Sequence, residues 1–595
     1  MLVAQAFTDL LALADQSLLR ETGQDLLSRI SITLVQCCIR VMLKQSNNGS
    51  WEDSVEQTSY GIAVLSEALR LSCFQDLHDQ LTKMVDAAVH FLVNAPPASD
   101  YIWIEKVTYS SPFLTQSYKL AALKLAMRSG DHTVGLPAKV SPKYVGLFRQ
   151  MPLFSGVPEW QLHASNIESA LFSPMCRALR LEIFSRKDME EDEYFDMIPF
   201  IWTACNNYSQ AFASANFLYE LMIVSFLNFQ ADEFMEVVAG HHFKDNISGL
   251  RRLIDEVCLD DAHSVPLSLS PRPTVTTVDD HVPEDVSGPL AGFVSRLFQH
   301  PAVSGASVWD QNRLRHELRV YLQAHVTQTE DNARLKQCGA GAAATATADT
   351  FSRWVRTTSA DHTSCPYAFA FVSCVLSSSS TYGGGRGDEC FPTASQKYFA
   401  ESWCRHLAIM CRMYNDIGSI ARDAAEANLN SVDFPEFAYA KPVLTNGNGV
   451  HTDGVNKPTA NGAVKDLDEK KEELFKIAEY ERACLNEAQL WLEGEMLRKG
   501  PMQEANKAKL AVWRVFRDVT DLHGQIYVVR DIASRIKPTS NGHTGTDLKG
   551  TSPNDTGLNG IGRNGTVLNG GIGLNCTVLN GGIVLNGGLN GSIDH

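Results

Sequence analysis

Positive charge is scarce in this chain. Its 52 Lys and Arg stand against 68 Asp and Glu, a formal net charge of −16 at pH 7. That balance excludes the basic footprint with which proteins hold nucleic acid through its phosphates. Cysteine occurs 14 times but never in a CxxC spacing, so neither a zinc site nor a disulfide framework is indicated, and reduced, buried thiols are expected. Apolar runs are short, and none reaches the roughly 18 uninterrupted residues expected of a membrane span. The opening MLVAQAFTDLLALADQSLLRE has no basic n-region and carries Asp9 and Asp15 inside its apolar stretch. It predicts an amphipathic helix, not a signal peptide. The expected location is the cytoplasm.

What is present is helical periodicity. Apolar residues recur at helical spacing over Leu11 to Leu43, Gln57 to Leu71, Leu77 to Leu92 and Leu114 to Met127, and again from Glu159 onward. Strand alternation is sparse, so the fold class is all-α, and the length allows several domains. Three stretches break the pattern. A Pro- and Ser-rich segment at 266–289 and KPVLTNGNGVHTDGVNKPTANGA at 441–463 predict exposed insertions. From about residue 538 to 595, repeated Leu-Asn-Gly units with few aromatics predict a disordered tail.

Two short motifs carry chemistry. In NDIGSIARD (415–423), Asn415, Ser419 and Asp423 recur at i, i+4 and i+8, which stacks an amide, a hydroxyl and a carboxylate on one helical face. Such oxygen donors suit a hard divalent cation, and Mg²⁺ usually shares its site with substrate phosphates. In DEFME (232–236), Asp232 and Glu236 are one helical turn apart, with Glu233 beside them, at the end of the apolar run Phe217 to Phe229. Either face alone reads as a solvated surface. Together they predict a cleft that holds a diphosphate through Mg²⁺.

DEFME and NDIGSIARD resemble the aspartate-rich and NSE-type motifs of class I terpene synthases. FSRKDMEED (184–192), IPFIWTACNN (198–207), RWVRTT (353–358) and NLNSVDFPEF (428–437) resemble the fungal bifunctional diterpene cyclases, and the likeness runs over roughly residues 15 to 535. QSNNGSW (45–51), followed by EQTSYGIA, is similar to the QW-type repeat of class II helical barrels. Its Gln and Trp are read as structural ties. No DxDD motif, the acid of class II chemistry, occurs in the chain. The resemblance therefore implies a class I terpene synthase bundle at 136–537, preceded by a partial class II-type helical barrel at 1–135.

The same resemblance implies the roles of site residues. Asp232, Glu233, Glu236, Asn415, Ser419 and Asp423 would hold magnesium, in a cluster of about three ions. Arg356, Arg412, Arg422, Tyr527 and Arg530 would clamp the diphosphate, since the guanidinium fork matches phosphate oxygens. Phe200, Trp202, Tyr208, Phe226 and Phe229 are candidates for an apolar pocket whose ring faces stabilise a carbocation. Thr358 to Pro366 predicts a helix break that turns carbonyl dipoles toward that cation. The implied activity is ionisation and cyclisation of a prenyl diphosphate, copalyl diphosphate in particular, with a separate copalyl diphosphate synthase as a possible supplier. A cyclase working directly on geranylgeranyl diphosphate, and a non-catalytic cyclase fragment, stay open. A trans-prenyltransferase would carry two DDxxD-type motifs, which the chain lacks. Arg386-Gly-Asp388 reads as a chance match, His241 and His242 lack partners at zinc spacing, and His362 and His523 read as satisfied polar residues.

Overall fold

The computed structural model describes residues 1–19, 23–95, 102–104, 107–109, 111–127, 133–136, 140, 143–178, 182–184, 194–243, 246–259, 284–338, 349–437, 460–498 and 503–529. Met1–Ile536 form one compact unit. The described residues are overwhelmingly helical, as the periodicity predicts. One short antiparallel hairpin departs from it: Ile102–Ile104 pairs with Val107–Tyr109 in the register Ile102↔Tyr109. Three-residue strands are too short to leave an alternation signal in the sequence.

The N-terminal helices Leu2–Asp15, Gln24–Leu43, Val55–Ala68, His78–Asn94 and Pro112–Ala126 fall where the apolar spacing places them. The first buries Ala4, Thr8 and Leu11 and exposes its acids, as an amphipathic helix does. Gln24–Leu43 has the length and composition to cross a membrane, although Asp25, Arg29 and Arg40 interrupt it. Here it packs on Glu159–Ala178, burying Ile32, Leu34, Val35, Cys38, Ile39 and Met42.

The QW-type residues tie helix ends. Gln45 Nε2 donates to the carbonyls of Gly49 (3.0 Å) and Met84 (2.8 Å), and Trp51 Nε1 donates to that of Val41 (2.9 Å). Gly49 has φ 86°, and a Cβ there would sit 2.4 Å from the Ala87 carbonyl oxygen, so the turn admits only glycine.

Glu168 joins this region to the rest. It is fully buried, and its oxygens accept from Gln36 Nε2 (2.8 Å) and Asn207 Nδ2 (2.9 Å). Burial pushes its carboxyl up to about 7, against the pull of those two donors. A folded-state pKa above the unfolded value means stability from proton binding is complete below about pH 4.5 and is lost as pH rises through 7. The shift corresponds to roughly 3 kcal/mol. Glu168→Gln should therefore flatten the fall in denaturant-measured stability between pH 5 and pH 8; an unchanged fall would refute the assignment.

The C-terminal part is a bundle around Ala394–Glu426, which packs against Ala460–Met496, Gln503–Val529 and Cys365–Ser378. Val308–Cys338 lies against Cys365–Ser378 and Ile247–Leu259. Two helices begin inside stretches expected to be loops. Glu284–Phe298 starts before Pro289, its first-turn Glu284 and Asp285 matching the helix dipole, and Ala460–Met496 starts at the end of 441–463. The remainder of both insertions, and the tail from 538, lie outside the described residues.

Candidate active site

Ala215–Glu233 carries the first motif. Ser214 caps it, accepting from Phe217 N (3.3 Å), and its apolar residues are buried on all sides, which fixes where its C-terminal end emerges. Asp232 lies at that end. Glu236 lies in the next turn, Phe234–Ala239, which is a π turn and not the α-turn that an i, i+4 pair predicts. A second π turn, Val355–Ser359, holds Arg356. Both pack on Val308–Cys338. Among the described residues these are the two π turns, and such turns concentrate at functional sites.

Asp232 is supported from Val308–Cys338. The Tyr321 hydroxyl and His325 Nε2 (3.2 Å) both donate to Asp232 Oδ1, and Oδ2 takes no hydrogen bond among the described residues. Burial and the Asp232 charge push the Tyr321 hydroxyl well above its ordinary range, so it stays a donor. Glu236 keeps 53% of its side-chain surface open, yet desolvation raises its carboxyl, with the Asp232 charge adding and His325, Arg412 and Arg422 opposing. High exposure and strong desolvation disagree on a convex surface. They coexist where protein surrounds a group that water still reaches.

Arg412 and Arg422 belong to Ala394–Glu426, the helix of the second motif, so the two motifs are within electrostatic reach of each other. Asn415, Ser419 and Asp423 fall on one face as the spacing predicts. Ser419 Oγ donates to Asp423 Oδ2 (2.6 Å), both residues are buried, and Asn430 Nδ2 donates to the same oxygen (2.8 Å). Asn415 is half-buried and makes no side-chain hydrogen bond among the described residues. Asp416 is fully buried, accepts from Ser431 N (3.1 Å) and Oγ (2.5 Å), and is pushed up to about 6 by burial. Arg412 Nε lies at ion-pair distance from Asp416 Oδ1 (2.9 Å), unaligned for a hydrogen bond. These contacts explain why NLNSVDFPEF accompanies the motif: Asn430 and Ser431 hold it.

Gly418 sets the approach of the last helix. A Cβ there would lie 2.0 Å from the Tyr527 carbonyl oxygen, and one at Gly524 would lie 2.9 Å from the Tyr414 ring. Tyr527 thus reaches the motif through its backbone, with its side chain half-buried. Arg530 lies outside the described residues. Arg356 is ion-paired with buried Glu481, which also meets His406 Nδ1 (2.6 Å), so its guanidinium is engaged by Ala460–Met496. Glu233 sits beside Asp232 at the same helix end, half-buried.

The aromatic candidates separate by environment. Phe200 stacks on Phe148 (4.5 Å between centroids) in the core, and Phe226 packs against Phe195 (4.9 Å). Trp202 is buried and donates to Ser225 Oγ (3.0 Å). Tyr208 is 40% exposed and meets Phe154 edge-on. Phe229 is half-buried between Tyr194 (5.7 Å) and His523 (6.0 Å), one turn before the Asp232 end. The expected break falls at 362–364, after the π turn. Thr363 Oγ1 there donates to the Ala360 carbonyl (2.7 Å), and Ser359 Oγ is buried without a partner.

Sequence reasoning missed Tyr321, His325, Asp416, Asn430 and Ser431, and it misread two histidines. Nε2 of His362 and Nε2 of His523 are buried without a hydrogen-bond partner, and burial lowers both imidazole pKa values. The oxygen donors fit magnesium: the Asp232 and Glu236 carboxylates and the Asn415 amide are hard and exposed or half-buried.

Pimaradiene synthase of Emericella nidulans is 38% identical over 563 residues, which covers 89% of this chain and 54% of that protein. Phyllocladan-16-alpha-ol synthase of Phomopsis amygdali is 38% identical over 583 residues, covering 90% and 55%. This chain is homologous to fungal diterpene synthases. The ent-kaur-16-ene synthase of Fusarium fujikuroi is 36% identical over 555 residues, again 90% of this chain and 55% of that homologue. The chain thus spans about half the length of the curated relatives it matches. No protein-family model and no solved structure matches it significantly.

Proposed function

We propose that this chain is a class I diterpene synthase that ionises copalyl diphosphate with Mg²⁺ and cyclises the resulting carbocation to a polycyclic hydrocarbon or alcohol. The observation that carries this reading is the link between the two motif helices: His362 lies 3.9 Å from Glu236 and 3.3 Å from Arg412. Open carboxylates at Asp232 and Glu236 lie within the electrostatic reach of Arg412 and Arg422, on the helix of Asn415, Ser419 and Asp423. Magnesium, when bound, would supply Lewis-acid stabilisation of the charge that develops on the departing diphosphate. Asp232, Glu233, Glu236, Asn415, Ser419 and Asp423 would hold it. Tyr321 and His325 fix Asp232 by its Oδ1, so that Oδ2 would be the oxygen offered to the metal. Arg412 and Arg422 orient the diphosphate and neutralise it further, with Tyr527 and Arg530 beside them; Arg356 joins the clamp only by leaving Glu481. Phe229 is the pocket aromatic nearest the acidic end, and the buried walls beyond it exclude water from the cation.

Residues 136–537 form the catalytic part in this reading and 1–135 a class II-type helical region. No DxDD acid occurs among these 595 residues, so in this reading they receive a copalyl diphosphate formed elsewhere, and the reaction takes place in the cytoplasm. Purified chain with Mg²⁺ should convert a copalyl diphosphate stereoisomer, with products read by gas chromatography, and a chelator should stop it. Cyclised product from geranylgeranyl diphosphate supplied alone would overturn the substrate assignment. No product from either substrate would favour a non-catalytic fragment.

A further inference from the structure

We propose that Glu236, His325 and His362 form a second kind of cation site on the wall of the same cleft, one that takes a borderline transition ion such as Co²⁺ or Zn²⁺. One Glu236 oxygen and one ring nitrogen from each histidine lie within 4.8 Å of one another. Donors bound at about 2.0–2.2 Å to such an ion stand roughly 3–4 Å apart, so modest side-chain rotation closes the set. Glu236, with 53% of its side chain open, is the member with room to turn.

The histidines supply the independent observation. The side chains of His325 and His362 are 1% and 9% exposed, and His325 Nδ1 and His362 Nε2 are buried polar atoms without a partner. His362 Nε2 lies 3.9 Å from Glu236 Oε1, and the two rings are 3.9 Å apart. A buried, unpaired ring nitrogen is costly, and a metal ion would satisfy two of them at once. His325 has the proton arrangement of a metal-bound imidazole. Asp232 accepts from its Nε2 (3.2 Å), which leaves the lone pair on Nδ1, the carboxylate–histidine pairing that raises ligand basicity. For His362, Arg412 donates to Nδ1 (3.3 Å). Ligation through Nε2 shifts the ring proton to Nδ1 and turns Arg412 toward Asp416, whose Oδ1 is 2.9 Å from Arg412 Nε.

Imidazole suits zinc, cobalt and nickel, whereas magnesium prefers an all-oxygen shell. The site is therefore chemically distinct from the magnesium cluster but shares Glu236 with it. Resting on the diterpene synthase reading in this one respect, the inference is that a transition ion here removes Glu236 from the magnesium ligands and inhibits turnover.

Cobalt alone tests it. Titration of the full chain without substrate should give a visible d–d absorption with nitrogen ligation. His325→Asn and His362→Asn should each weaken Co²⁺ binding at least tenfold, as should Glu236→Gln, a change on an open side chain that serves if a histidine variant fails to fold. Unchanged Co²⁺ affinity in the folded variants overturns the site. Histidine-dependent Co²⁺ binding in a protein that turns over neither diphosphate would sustain this site and defeat the synthase reading.

Discussion

Asp232→Ala should abolish Mg²⁺-dependent release of diphosphate, a fall of about a thousandfold or more. Metal stabilisation of a leaving group is worth several kcal/mol and each 1.36 kcal/mol is tenfold in rate. The variant should still fold, because Asp232 is 40% exposed at a helix end. Alanine also strips the acceptor from the Tyr321 hydroxyl and His325 Nε2, so loss of support and loss of charge are mixed. Asp232→Asn separates them. Its amide oxygen still accepts both bonds while the negative charge is gone, so thermal stability should stay near that of the parent and turnover should fall as far as in the alanine variant. Near-normal rates for the Asn variant would mean that the carboxylate charge does not hold the metal.

The second large effect needs no change to a ligand. Gly418→Ala should lower stability by roughly 3 kcal/mol or more, at or above the usual cost of overpacking. Its Cβ would stand 2.0 Å from the Tyr527 carbonyl oxygen and 2.7 Å from its carbon, and neither backbone atom can swing aside like a flexible side chain. To admit the methyl, Gln503–Val529 must move off Ala394–Glu426, and Tyr527 moves with it. Activity should therefore fall together with melting temperature. Gly494→Ala is the matched control. That glycine lies exposed within Ala460–Met496, with nothing within 4 Å of a built Cβ, so alanine should raise stability by up to about 1 kcal/mol. Equal melting temperatures for both variants would refute the close crossing.

The helices and the polar face of NDIGSIARD were legible in the sequence because both follow from the 3.6-residue period, a local property. So was the distinction between the acids of DEFME and the apolar helix that precedes them. Tyr321, His325 and His362 were not. They stand 89, 93 and 130 residues from Asp232 (321 − 232, 325 − 232 and 362 − 232), and only tertiary packing brings them to the site. Asp416 was hidden for another reason. It sits inside the motif, about 100° round the helix from Asn415, and only Ser431, returning after a loop, reveals its role. The reading of Arg356 as a clamp rested on its surrounding segment, which cannot reveal that Glu481, on a helix beyond an insertion, takes its guanidinium.

The π turn at Phe234–Ala239 has a consequence for how this helix tolerates change in length. A π turn closes its hydrogen bonds over one more residue than an α-turn, so it behaves as an extra residue stored in the helix. Removing any one residue between 234 and 239 would let the backbone relax to regular α geometry, an outcome favourable for the helix by itself. The flanks would keep their register, because the wide turn had absorbed the extra residue, but Glu236 would lose the separation from Asp232 that the π turn sets. Length, more than side-chain identity, is what this turn has to conserve.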